Sequence, residues 1–294
     1  MIQPIDAAFV RRVLPTRPLD AHKGTFGKLL LAVGSAYYPG AACMATLAAL
    51  RTGVGIATVA APRTVAHGCI GRLVEPTWLP LPENADGVVL PEAVEKIAEK
   101  LPGYQAVLAG CGLSNEPDAE GFVCALLSLP ALAGKPFVLD ADGINCAARH
   151  IDLLERCPAR LILTPHRMEM ARLCGCPIGE VSGEKAAALA AQLRATVVLK
   201  SEATLVARAD GRLFRLENAA NPGLAKGGSG DVLAGIVGSL CAQGVSPDDA
   251  ACAGVWLHSQ AGFAALRRSG SVSMLPGDLP GLLPEVFLNL QGAE

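Results

Sequence analysis

Residues 221–231, NPGLAKGGSGD, set four glycines and a lysine around one carboxylate, Asp231. An apolar stretch follows at once: Val232, Leu233, Ile236, Val237 and Leu240 recur at i, i+1, i+4, i+5 and i+8, which predicts a helix with a wide buried face. The glycines therefore end at a helix N-terminus. There the first N–H groups lack intrahelical partners and the dipole is positive, so an anion is the natural ligand. The residue order is neither a Walker A loop nor a dinucleotide fingerprint. Two readings compete. In one, the loop only packs a helix closely on a sheet and Asp231 is a favourable first-turn acid. In the other, Gly227, Gly228, Ser229 and Gly230 offer N–H groups to a transferring phosphoryl group, and Asp231 takes the proton of the attacking hydroxyl. A helix N-terminus is expected to lower the Asp231 pKa. A weak base suffices where positioning and charge stabilisation carry phosphoryl transfer. Mg²⁺ or Lys226 is expected to offset the phosphate charge.

Further polar groups fall where predicted strands end. Apolar runs at 28–34, 56–62, 106–112, 136–143, 161–166 and 196–200 read as buried strands. Helical spacing covers 41–53, 92–101, 117–129, 166–174 and 183–194, with two more helices at about 230–243 and 247–267. Residues 204–216 read as a hairpin turning at Asp210-Gly211. Strand–helix alternation with continuous apolar strands predicts an α/β fold with a mainly parallel central sheet flanked by helices on both faces. Ligands of such sheets bind beyond the strands' carboxyl ends. Those ends carry GSAYYPGAA (34–42), AGCGLS (109–114), LDADGIN (139–145), TPHRMEM (164–170) and KSEAT (200–204). Each is also ordinary turn or cap chemistry when read alone: His166 as a capping or surface residue, Asp140 and Asp142 as turn acids.

Composition narrows the classes. Of 294 residues, 51% are hydrophobic and 18% charged, enough for a large buried core. The net charge is −2 with no basic block, so nucleic acid is not an expected partner. The ten cysteines lie in apolar segments without a C-x-x-C pair, which favours buried reduced thiols over zinc or disulfides. The first residues lack the apolar core of a signal peptide. Residues 29–50 are uncharged, but turn chemistry at their centre argues against a membrane span. A soluble cytoplasmic protein is expected, with 1–294 as a single domain because no linker or internal repeat interrupts it.

The ordered set of motifs resembles the ribokinase-like superfamily and, within it, the ADP/ATP-dependent NAD(P)H-hydrate dehydratases. The likeness runs from HKGTFGKLLLAVGS (22–35) through GCGLS, LDADGIN, LTPHRMEM and VVLKSEAT to the glycine-rich stretch, and continues faintly into GVWLHSQAG (254–262). It implies phosphate transfer from ADP, or ATP, to the 6-hydroxyl of (S)-NADHX or (S)-NADPHX, followed by phosphate loss that restores NADH or NADPH. By motif matching it implies Asp231 as base and Gly227–Gly230 as anion hole. Lys200, Ser201, Glu202, Ala203, Thr204 and Gly230 fall where the family holds the adenine nucleotide. Ala41, Gly112, His166 and Asp231 fall where it holds the hydrated cofactor, and Glu169 matches an acid that serves Mg²⁺, often through water. Thr-Pro-His in place of the Thr-Pro-Asn of many small-molecule kinases suits a larger ligand. The alternative is an ATP-dependent kinase of hydroxymethylpyrimidine or pyridoxal type. Two departures stand out: Arg167-Met168 where the family has Pro-Gly, making Arg167 a candidate phosphate contact, and Ser201 where it has Gly. The resemblance further implies a homotetramer and a separate epimerase, or spontaneous interconversion, for the R epimer.

Overall fold

Ten strands form one sheet in the computed structural model, which describes residues 2–218 and 220–292. They are β1 (Ile2–Ile5), β2 (Lys28–Ala32), β3 (Ile56–Pro62), β4 (Thr77–Leu81), β5 (Ala106–Ala109), β6 (Pro136–Leu139), β7 (Arg160–Leu163), β8 (Thr196–Leu199), β9 (Leu205–Ala207) and β10 (Leu213–Leu216). Their order is β1-β10-β9-β8-β7-β6-β5-β2-β3-β4. Only β9 runs against its neighbours; the other pairs are parallel. The mainly parallel sheet expected from the strand–helix alternation is present. So is the hairpin, closed by the Gly211 N–H donating to the Arg208 carbonyl at 3.0 Å.

Period-two geometry explains why the central strands are apolar throughout. Leu29, Leu31, Leu108, Val138, Ile162 and Val198 face one core, and Leu30, Val107, Phe137, Leu161 and Val197 face the other. Helices α1 (Ala7–Val13), α2 (Pro39–Thr52) and α3 (Arg63–Cys69) pack into the first core. Helices α4 (Val94–Lys100), α5 (Pro117–Leu127), α6 (Asp142–Ala147), α7 (Ile151–Arg156), α8 (Arg167–Cys174) and α9 (Gly183–Leu193) pack into the second. Helices α10 (Ser229–Ala242), α11 (Pro247–Ser273) and α12 (Leu279–Gln291) return to the first.

Helix α10 positions the glycine-rich stretch, and small residues let it lie close to α2. A Cβ built on Gly235 would sit 2.2 Å from the Ala45 carbonyl oxygen, so no larger residue fits without moving a backbone. Its N-cap, Gly228, has φ 104°, a left-handed conformation that glycine adopts without strain. Helix α11 outruns the expected end at 267, continuing to Ser273 across a non-helical Gly270. No helix among the described residues is long and apolar enough to cross a membrane.

Candidate active site

The carboxyl ends of β6, β7 and β8 and the start of α10 open onto a cleft of about 1020 Å³. Asp140 follows β6, His166 and Glu169 open α8 after β7, and Lys200 follows β8. Residues 227–231 line the same cleft, together with Val255, His258 and Ser259 of α11.

The most buried group is Asp140, 1% exposed. Its Oδ1 accepts hydrogen bonds from Thr164 Oγ1 at 2.6 Å and Lys200 Nζ at 2.7 Å, and Cys111 Sγ lies 3.8 Å from its Oδ2. Burial works against the Lys200 ammonium, but the Asp140 and Glu169 carboxylates outweigh it and raise the Lys200 pKa. A Cβ on Gly230 would lie 3.0 Å from Lys200 Nζ, so this cation sits against the glycine turn. Donor atoms of Cys111, Asp140 and Asp231 lie within 4.8 Å of one another.

Asp231 departs from expectation. Burial first, and then the Asp140 charge, push its carboxyl from the ordinary 3.8 up to about 7, where a depressed value was expected from the helix N-terminus alone. A positive helix end offsets only part of the loss of water and the neighbouring acid. The result is a base matched to neutral pH.

The amides of the turn divide. Ser229 N–H donates to the Lys226 carbonyl at 3.2 Å, whereas those of Gly227, Gly228, Gly230 and Asp231 have no backbone partner among the described residues. Four amides are thus available to an anion, and the Ser229 amide, expected among them, is not. Lys226 also departs from expectation: its Nζ donates to the Val272 and Met274 carbonyls, both at 2.6 Å, and so ties the turn to the end of α11. Lys200 is the ammonium that faces the glycines. Arg167, a candidate phosphate contact, instead donates to the Ile178 and Val181 carbonyls.

His166 is both a cap and a cleft residue. Its Nδ1 accepts the Met168 and Glu169 N–H groups at 3.1 and 3.3 Å, while Glu169 Oε2 accepts the His166 N–H at 2.8 Å, a reciprocal capping box. Burial, then Lys200, lowers the His166 pKa, and burial raises Glu169 to about 7. Ser201, Glu202 and Thr204 line the cleft with Lys200, but Ala203 does not. Neither do Ala41 and Gly112, which pack on each other: a Cβ on Gly112 would lie 2.7 Å from Ala41 Cβ. Asp142 holds the Ser114 N–H and Asn115 Nδ2 at 2.9 and 2.8 Å, a loop clamp rather than a cleft residue.

Three members of the site carry little or no signal in local sequence. Cys111 and Asp140 are placed by the sheet, and a strand-end acid was the only signal for the second. His258 is signalled only by sharing a helical face with Val255 and Ser259.

The architecture is ribokinase-like. It matches a ribokinase-like superfamily protein from Enterococcus faecalis with a TM-score of 0.85 and 26% identity, over 98% of this chain and 96% of that one. Sequence narrows the class: residues 29–285 match the NAD(P)H-hydrate dehydratase family, and the chain belongs to that family. It is 37% identical over 274 residues to the ADP-dependent (S)-NAD(P)H-hydrate dehydratase of Neisseria meningitidis, covering 91% of this chain and 87% of the relative. The Bacillus subtilis ADP/ATP-dependent NAD(P)H-hydrate dehydratase, co-crystallised with ATP/Mg²⁺, matches with a TM-score of 0.81 and 30% identity over 98% and 99% of the two chains. Other curated relatives are longer. The chain spans about half of the bifunctional NAD(P)H-hydrate repair enzyme of Moorella thermoacetica, at 37% identity over 98% of its own length and 54% of the relative's.

Proposed function

We propose that the cleft carries out ADP-dependent dehydration of (S)-NADHX and (S)-NADPHX, the hydrated forms of the reduced nicotinamide cofactors. The observation that carries this reading is Asp231, a carboxyl at about 7 beside four free amides and next to the Lys200–Asp140 pair. In the proposed reaction the free amides of Gly227, Gly228, Gly230 and Asp231 hold the β-phosphoryl group of ADP. Asp231 accepts the proton of the substrate's 6-hydroxyl as that oxygen bonds to phosphorus and AMP leaves. The lone pair of the ring nitrogen N1 of the tetrahydropyridine then expels the phosphate as the C6–O bond breaks, a proton leaves C5, and the C5–C6 double bond of NAD(P)H is restored. Lys200 offsets charge building on the transferred group, and Asp140 keeps Lys200 protonated and oriented.

The remaining assignments belong to the same proposal. Lys200–Thr204 border the adenine nucleotide; His166 meets the hydrated cofactor, whose larger remainder reaches toward Ala41 and Gly112. Ala41 and Gly112 lie outside the cleft lining, and what supports their assignment is that Cys111, next to Gly112 in sequence, has its thiol beside the Asp231 carboxylate. Glu169 and Asp140 offer carboxylate oxygens, the donor type that the hard cation Mg²⁺ prefers, with Asp231 left to take the proton; the Cys111 thiol beside them, which burial keeps protonated, is not such a donor. Mg²⁺ held there with the nucleotide would supply charge neutralisation. We further infer one domain over 1–294, of which Met1, Ala219, Ala293 and Glu294 lie outside the described residues, a cytoplasmic homotetramer, and a functional pairing with a separate epimerase.

Purified protein incubated with (S)-NADHX, Mg²⁺ and ADP tests the reading. Recovery of the reduced-nicotinamide absorbance with one AMP per NADH supports it. No recovery with ADP or ATP overturns it, and a stable phosphorylated alcohol in place of NADH would favour a small-molecule kinase.

A further inference from the structure

We propose that His258 is a positioning residue that makes the Ser229 hydroxyl a side-chain donor of the anion cradle, a role that rests on the phosphoryl-transfer reading of the 227–231 turn. Ser229 is the one residue of that turn whose amide is already committed, to the Lys226 carbonyl at 3.2 Å. It reaches a bound phosphate only through its side chain. Its Oγ lies 3.1 Å from His258 Nε2, and neither side chain has another side-chain hydrogen-bond partner among the described residues. Both residues line the cleft.

The direction of that hydrogen bond decides what Ser229 offers. Burial holds the His258 imidazole down at about 4, so it is neutral at working pH and carries one N–H and one bare nitrogen. If Ser229 gives its proton to Nε2, its oxygen turns only lone pairs toward a phosphate. If His258 carries its proton on Nε2 and donates to Oγ, the Ser229 proton is left for the anion. Phosphate selects the second arrangement, because a charge-assisted O–H donor replaces a lone-pair repulsion. The ring, fixed by the long helix α11, therefore orients a hydroxyl on α10.

Calorimetric titration of the full chain with ADP and, separately, with adenosine tests this. Ser229→Ala and His258→Phe are each expected to weaken ADP binding about tenfold, as loss of one hydrogen bond to a charged group implies. Adenosine, which has no phosphate, is expected to bind every variant as it binds the wild type, and so reports an intact fold. His258→Gln, which keeps an N–H near the Nε2 position, is expected to stay within about threefold of the wild type. In the Ser229→Ala background, His258→Phe is expected to add less than about threefold, since its target is gone. An unchanged ADP affinity in His258→Phe, an equal loss for ADP and adenosine, or the same loss with and without Ser229 each overturns the assignment. A wild type that binds neither ADP nor ATP contradicts the phosphoryl reading itself.

Discussion

Asp231→Asn removes a charge that the cleft disfavours, so it is expected to cost activity while adding stability. The rise of the Asp231 carboxyl from 3.8 to about 7 stems first from burial and then from Asp140. At ~1.4 kcal/mol per tenfold change in ionisation, that rise is worth about 4 kcal/mol. Because the folded pKa is the higher one, the unfolded chain ionises first as pH climbs. The folded state then loses stability progressively from about pH 4 to pH 7, and the penalty is complete above that window. An amide does not ionise, though it too must give up water, so a net gain of about 2 kcal/mol is expected at pH 8. The water cost of the amide persists at pH 4, where the ionisation penalty of wild type has gone, so the gain should turn into a loss of about 2 kcal/mol there. Urea unfolding of both proteins at the two pH values measures it. In the same variant, turnover should fall about 10² to 10⁴-fold, the usual worth of a general base, while ADP still binds. Wild-type kcat/KM should rise with pH through about 7 and then level. A variant no more stable than wild type at pH 8, or one whose difference does not change with pH, would refute the origin assigned to this raised pKa.

Lys200→Met should leave the 1%-exposed Asp140 without its cation. A loss of about 3 kcal/mol in urea unfolding is expected, together with at least tenfold weaker ADP binding by calorimetry. Gly235→Ala should place a methyl 2.2 Å from the Ala45 carbonyl oxygen and push α10 from α2. Thermal denaturation should show a loss of about 1–3 kcal/mol, with any fall in turnover traced to the shifted α10 start.

What the sequence makes legible follows burial. β2 and β8 stand out because both of their faces are covered, so their apolar runs are unbroken. β1 and β4 do not, because they form the two edges of the sheet, β1 largely exposed and β4 mostly half-buried or exposed, and carry Pro4 and Pro80, which edge strands tolerate. Helix α12 is hidden by Pro280, Gly281 and Pro284, although Leu279, Leu282, Leu283, Val286 and Leu290 hold one face in the core. The location of Asp231 at a glycine-rich helix start is likewise legible. Its ionisation is not, because Asp140 and the burying walls arrive from other strands. Lys226 and Lys200 show the same limit: local sequence put a lysine beside the glycines, and the fold supplied a different one.

Phosphoryl transfer to the 6-hydroxyl is the central claim, and oxygen tracing tests it most directly. (S)-NADHX carrying ¹⁸O at the 6-hydroxyl, turned over with unlabelled ADP in unlabelled water, should deliver its label to inorganic phosphate. The C6–O bond breaks only after that oxygen has joined phosphorus. Label found in water, with unlabelled phosphate, would mean that hydroxide leaves directly and that Asp231 and the glycine turn serve some other chemistry.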